Sequence, residues 1–280
     1  MDIMQKRLRK DPLRLLYEDT IHSQAEIYHE LSKITHANGR SFRRRIQSII
    51  GPEFFLKRLS QGYKSYPTSE SVPLPKGAQV SETPLAQEFR KMIVNRRSVR
   101  QFTGRAVSLN EISVLMRNTY GITGRQMLQY NIEQILRAVP SGGALYPLEL
   151  YVASFDVEGL EPGVYHYNVQ KHSLEHVRSG QFQTELGKAF FYEEMFKKVS
   201  AQIIITGVLK RSYLKYGERS YRFMTLEAGH VGQNLVLSAV AMNLGCLMLG
   251  GYIDDDVNNI LEIDGVNEST LYGAAIGYTG

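Results

Sequence analysis

The sequence predicts an α+β fold, and three observations carry that expectation. Helical patterns come first and strands follow, mixed with helices, which is not the regular strand–helix alternation of a parallel sheet. AQIIITGVL (residues 201–209) is a dense β-branched run suited to a central buried strand. LELYVASF before it and TLYGAAIGY after it are strand-like in the same way.

The elements follow in order. DPLRLLYEDTIHSQAEIYHELSK reads as helical, and so does GPEFFLKRL with its early Pro52. Residues 63–84 hold four of the nine prolines among many serines and threonines, an extended connector. PLAQEFRKMIVNRRS is a helix ending near its arginines. Ser108 and Glu111 form a capping box, and Ile112, Leu115 and Met116 follow at helical spacing. Leu148–Phe155 is a strand, and GVYHYNV with SLEHVRSG makes a hairpin around residues 168–172. The longest helix is expected from Tyr213 to Asn243, ended by Gly245. CLMLGGY returns as a strand, DDDVNNILEI is a short helix opened by acids, and TLYGAAIGY closes the sheet. The organisation expected is a helical extension with its connector over residues 1–84 and one domain over residues 85–280.

Composition narrows the function. The 280 residues carry a net charge of +5 and a single cysteine, so a disulfide within the chain and a cysteine metal cluster are excluded. Cys246, in NLGCLMLGG, reads as a buried inert thiol. No apolar stretch is long enough to span a bilayer, the N-terminus lacks a signal-peptide pattern, and the expected location is the cytoplasm. The histidines lack companion metal ligands at useful spacing, so no metal is expected. GRSFRRR (residues 39–45) is either a solvated face or a basic surface for an acidic peptide or phosphate. No nucleic-acid motif accompanies it.

Three segments carry chemistry. Arg96, Arg97, Ser98 and Arg100 put three guanidinium groups and a hydroxyl within five residues. They would satisfy a phosphomonoester, or form a solvated basic helix end. Pro140, Ser141, Gly142 and Gly143 open a loop that enters a strand at Leu148. The paired glycine lets backbone approach a flat ligand, or simply makes a tight turn. Lys215 and Tyr216 are sequence neighbours and cannot share a face of a regular helix, but they converge if they sit at an irregular helix start. A cation beside a tyrosine favours the phenolate, which suits a proton acceptor; two snorkelling surface residues are the other reading. Glu218 and Arg222 are spaced to pair along the helix, and His230 reads as a packing or capping residue.

RRSVRQF, PSGGALYPLELYV, VYHYNV and KYGERSYRFMTLEAGHVGQN, in this order over residues 85–280, resemble the SagB-type, or McbC-like, branch of the FMN-dependent nitroreductase family. YHELSK and SVPLP resemble the lead-in of that branch. The resemblance implies a mostly antiparallel sheet flanked by helices and an intertwined homodimer with FMN at its interface. It implies that Arg96, Arg97, Ser98 and Arg100 hold the ribityl phosphate end, and that Pro140, Ser141, Gly142 and Gly143 lie against the flavin. Gln233, Gly250 and Gly251 would offer further contacts, and Lys215 and Tyr216 match the branch's catalytic pair. Many members carry a basic residue beyond the closing strand; this sequence ends at Gly280, so Arg222 or Arg97 is expected to take that part. The activity implied is oxidation of thiazoline or oxazoline rings in a precursor peptide, with a cyclodehydratase partner and oxygen as acceptor. An NAD(P)H-dependent nitro or quinone reductase and a flavin-free scaffold subunit are the alternatives.

Overall fold

The computed structural model describes residues 23–50, 52–75 and 83–280. The first half of the expected N-terminal helix, Gly51 and residues 76–82 of the connector lie outside them. The chain divides into two compact units. One takes the described residues up to Lys33 together with Arg97–Gly280, and the other is Ile34–Arg96.

The first unit begins with α1 (Gln24–Ser32), which opens on a capping box between Ser23 and Glu26. The second unit holds α2 (Gly39–Ile50), α3 (Glu53–Ser60) and α4 (Pro84–Asn95). Thr83 caps α4, Pro84 stands in its first turn where no N–H is needed, and the helix stops at Arg96.

The rest of the first unit runs β1 (Val107–Ser108), α5 (Leu109–Tyr120), β2 (Ile122–Met127), β3 (Glu133–Arg137), β4 (Leu148–Ser154), β5 (Val157–Glu158), β6 (Gly163–Asn168), β7 (Ser173–Ser179), α6 (Gln183–Ala189), α7 (Glu193–Phe196), β8 (Ala201–Gly207), α8 (Leu209–Tyr216), α9 (Ser220–Ala241), β9 (Leu244–Leu249), α10 (Asp254–Leu261) and β10 (Ser269–Tyr278). Six strands form one sheet in the order β7-β6-β4-β8-β10-β9. Every neighbouring pair in it is antiparallel. This is the mixed α and β, antiparallel-sheet architecture that the sequence predicts. The capping box at Ser108 forms as expected, with both reciprocal hydrogen bonds.

The sheet separates two cores. Leu148, Leu150, Val152, Ile203, Ile205, Ala274 and Ile276 face one way and pack with Ile112, Leu115 and Met116 of α5 and Val231 and Leu235 of α9. Tyr151, Ala153, Ile204, Leu247, Leu249 and Ala275 face the other way and pack with Leu186 of α6, Phe190 just after it, Phe196 of α7, and Val257 and Leu261 of α10. Both faces of the sheet are therefore covered, so all seven residues of β8 are buried and its β-branched run needs no polar alternation.

Two boundaries differ from expectation. The single helix expected from Tyr213 to Asn243 is broken after Tyr216, where Gly217 takes φ 52° and ψ −139° and a short 3-10 turn follows over Gly217–Arg219. Gly245 does not end a helix. A Cβ there would stand 2.7 Å from Thr279 and 2.9 Å from Val99, so close packing inside β9 explains this glycine. The chain instead reverses at Asn243, with φ 57°.

Packing at Gly273 yields a first prediction. An alanine Cβ there would meet the Phe190 ring at 2.7 and 2.8 Å and Gln202 at 3.0 Å. Gly273→Ala should lower unfolding free energy by about 1–3 kcal/mol through overpacking, read in urea titrations.

Candidate functional site

The glycine loop is braced from below. Ser141 Oγ accepts the Tyr146 N–H at 2.9 Å, and the Ala144 N–H donates to Ser141 O at 3.0 Å. Gln134 donates to Ala144 O at 2.9 Å, and the Arg137 N–H donates to the Tyr146 hydroxyl at 2.9 Å. Gly143, Ala144 and Tyr146 all have positive φ, 62°, 51° and 46°. Two of these three are not glycine, so the loop stores strain of the kind that clusters at functional sites.

Beneath it lies Glu227 of α9, 2% exposed. It accepts from the Tyr120 hydroxyl at 2.8 Å and from Ser141. Burial raises its pKa, and those hydrogen bonds and the Arg137 charge only partly offset the rise. The Arg137 guanidinium sits 4.5 Å from the Tyr120 ring centroid and 4.8 Å from that of Tyr146.

Lys215 and Tyr216 stand at the end of α8. A Cβ on Gly143 would stand 2.6 Å from the Tyr216 hydroxyl and 2.7 Å from Lys215 Nζ. Both polar ends therefore approach Gly143. Convergence comes from the broken end of α8, not from an irregular helix start as expected. Phe223 completes the wall. Its ring is edge-on to Tyr216 at 4.9 Å and 84°, and it lies 3.4 Å from where a Gly142 Cβ would be.

The remaining predicted residues sit on other elements. Arg96 closes α4, its N–H on Met92 O. From Arg97 the chain is extended and lies along the sheet, with the Val99 N–H on Cys246 O at 3.2 Å and the Thr103 N–H on Tyr278 O at 2.9 Å. Arg97, Ser98 and Arg100 are exposed there, and Arg100 donates to Ser98 O at 3.3 Å. Gly250 and Gly251 follow the end of β9, and Gln233 is exposed on α9 beside Gly232, whose missing Cβ admits Met248 and Tyr272. Pro140 is exposed at the mouth of the loop. Arg222, in the first turn of α9, and His230, in its middle, are both exposed. Glu218 does not pair with Arg222; its carboxylate accepts from Gln24 N, Ala25 N and Tyr213. Cys246 is buried, and burial pushes its thiol up to about 12, as fits an inert role.

Glu227, Tyr120, Arg137 and Phe223 were missed as site residues. Glu227 and Phe223 lie within the quoted motif, but their partners lie about a hundred residues earlier in sequence, at positions 120, 141 and 142, and only the fold supplies them.

Among the described residues no helix is long and apolar enough to cross a membrane, and no group of three or more His, Cys, Asp or Glu could hold a metal.

The nitroreductase family model matches residues 93–278, and the chain belongs to that family. Within it, the chain is 34% identical over 176 residues to a Methanocaldococcus jannaschii protein that bears a nitroreductase name, covering 63% of this chain and 85% of that one. It is 31% identical over 170 residues to the trifolitoxin-processing protein TfxB of Rhizobium leguminosarum bv. trifolii, covering 59% of this chain and 46% of TfxB. It is also 30% identical over 145 residues to the microcin B17-processing protein McbC of Escherichia coli, covering 46% and 50%. The chain thus spans about half the length of these two toxin-processing relatives. The fold matches a chain of the E. coli microcin synthetase McbBCD complex, solved with truncated pro-MccB17 bound, at a TM-score of 0.65 and 23% identity over 82% of each chain.

Proposed function

We propose that this chain is an FMN-dependent dehydrogenase that oxidises thiazoline or oxazoline rings to thiazole or oxazole in a ribosomally made peptide. The observation that carries the reading is the approach of both Lys215 Nζ and the Tyr216 hydroxyl to Gly143. Similarity to two toxin-processing proteins supports a peptide substrate.

The residues present fit FMN. Gly142 and Gly143 open the loop to a flat ring with no Cβ at Gly143 to displace Lys215 and Tyr216, and Ser98 and Arg100 offer exposed donors suited to a phosphate. Pro140 and Ser141 shape the loop, and Gln233, Gly250 and Gly251 add further donors. When bound, FMN supplies the two-electron acceptor, with dioxygen as final oxidant.

The chain's own part is proton removal and orientation. Azoline oxidation removes two electrons and two protons. Tyr216 takes one proton from the ring carbon acidified by the adjacent C=N, and the other hydrogen leaves with the electron pair as hydride. Lys215 holds positive charge beside the phenolic oxygen while it accepts that proton. Phe223 fixes the Tyr216 ring edge-on, and Glu227 holds Ser141 so that Gly143 faces the pair.

The same reading includes a homodimer, a precursor peptide and a cyclodehydratase partner.

An absorption spectrum, followed by flavin reduction under anaerobic conditions, tests the proposal. The protein should be yellow, release FMN, and be reduced by an azoline peptide faster than by NADPH. Fast reduction by NADPH alone would make it a nitro or quinone reductase, and a colourless protein that FMN does not reconstitute would make it a scaffold subunit. Tyr216→Phe should keep its FMN and lose turnover by about 10²-fold. Full activity of that variant would remove Tyr216 from the mechanism.

A further inference from the structure

Tyr216 is followed at once by the Gly217 break, so something must hold the end of α8 in place. Glu218, in the 3-10 turn, does this with a carboxylate that reaches in three directions. Its Oε1 accepts the Tyr213 hydroxyl at 3.0 Å, which closes the break from the α8 side. The same oxygen accepts the Gln24 N–H at 3.2 Å, and Oε2 accepts the Ala25 N–H at 2.8 Å. Those two amides belong to the first turn of α1, where backbone donors have no partner inside the helix. Ser23 caps the third, on Glu26, at 3.0 Å. The negative carboxylate also sits at the positive end of the α1 dipole.

Helix α1 depends on such end contacts. Its only buried residue is Ala25, while Ile27, Tyr28 and Leu31 are 52%, 61% and 81% exposed. At its far end, the buried Lys33 donates to Gly265 O at 2.8 Å and to Glu30 at 2.6 Å. Along its length, His29 Nδ1 meets the Tyr221 hydroxyl at 3.3 Å. A cavity of about 310 Å³ separates α1 from Leu209, Met224 and Val266. Apolar burial therefore holds α1 weakly, and polar clamps hold it at each end.

We propose that Glu218 is a positioning residue for Lys215 and Tyr216, and that helix α1 is the anchor through which it acts. The N-terminal segment then belongs to the active site in function without touching substrate. Its docking sets the Tyr216–Gly217 turn and so the aim of the Tyr216 hydroxyl. This rests on the catalytic pair assigned above, and the test separates the two claims.

Three full-length variants are compared with wild type: Glu218→Ala, Glu218→Gln and Gln24→Pro. Proline in the first helical turn removes the Gln24 N–H while keeping the helix, and Ser23 already has the extended backbone, φ −80° and ψ 156°, that precedes proline. FMN content, kcat and KM are measured with whichever reductant wild type accepts, and amide hydrogen exchange is followed in residues 24–32 and 213–219. Glu218→Ala should keep its FMN and KM, lower kcat by about tenfold to a hundredfold, and speed exchange in both segments. Glu218→Gln, which retains one acceptor oxygen, should recover part of the kcat. Gln24→Pro should shift exchange in residues 213–219 and lower kcat in the same direction, although it lies far away in sequence. Faster exchange in α1 with residues 213–219 and kcat unchanged would overturn the proposal. If Glu218→Ala fails to fold, Gln24→Pro decides. Failure of the azoline reading would appear separately, as wild-type protein reduced only by NADPH.

Discussion

Gly143→Ala should leave a folded protein that has lost about 10³-fold in turnover. The added Cβ would stand 2.6 Å from the Tyr216 hydroxyl and 2.7 Å from Lys215 Nζ. Both atoms are the far ends of flexible side chains, so they swing aside at little cost to folding. The stability loss then comes mainly from placing alanine at φ 62°, about 1–2 kcal/mol. The activity loss is larger because both groups are moved, and a displacement of about 1 Å alone costs about 10²-fold. The prediction separates two roles for the same glycine. A turn glycine would give equal losses in melting temperature and activity on substitution, whereas a cradle glycine gives a small change in melting and a large one in kcat. Wild-type kcat in Gly143→Ala would show that the pair does not work at this point.

How much of this arrangement could be read from the sequence depends on how local its causes are. β8 was legible because two covered faces make a strand uniformly apolar, and AQIIITG is that. The Ser108–Glu111 capping box was legible because all its donors and acceptors lie within four residues. The hairpin of β2 and β3 was not, because ITGRQM and EQILR are mostly exposed or half-buried and carry no apolar alternation. The break at Gly217 is a single glycine inside a continuous helical pattern, and its cause is the docking of Glu218 against residues 193 and 194 positions away. Lys215 and Tyr216 were picked out by motif. Their common approach to Gly143, and the contacts of Glu227, Tyr120 and Arg137 with the loop, required the fold.

The second large effect concerns a charged cluster on the sheet. Glu149, just past the glycine loop on β4, pairs with Arg211 of α8 at 2.5 Å and with His166 of β6 at 2.8 Å. Their side chains are 16%, 17% and 25% exposed. Glu175 reaches the other His166 nitrogen at 3.4 Å, and Tyr151 and Thr206 donate to Glu268 close by. Arg211→Ala leaves the Glu149 charge largely buried with only His166 against it, so it should cost about 3–5 kcal/mol in urea titrations at neutral pH. The pH dependence carries the sign. Burial works against ionisation of Glu149, but the hydrogen bond from His166 and the charge of Arg211 outweigh it and hold the carboxyl down at about 2, against 4.5 when unfolded. That contribution, about 3 kcal/mol, is present above pH 4.5 and is lost as pH falls from 4.5 towards 2. His166 runs the opposite way. Burial lowers its pKa, the hydrogen bond and charge of Glu149 raise it further, and the net value lies above 6.5. Its contribution is full below pH 6.5 and fades as pH rises through the raised value. Stability from this cluster therefore peaks between about pH 4.5 and 6.5. In Arg211→Ala the acid limb should flatten, because the mutant Glu149 titrates closer to its unfolded value. An unchanged acid limb would mean that His166 alone holds the carboxylate. Arg211 lies one helical turn before Lys215, so the same variant should loosen the helix that carries the proposed catalytic pair. Its kcat should fall even where it remains fully folded, and normal turnover in the folded variant would confine this cluster to stability.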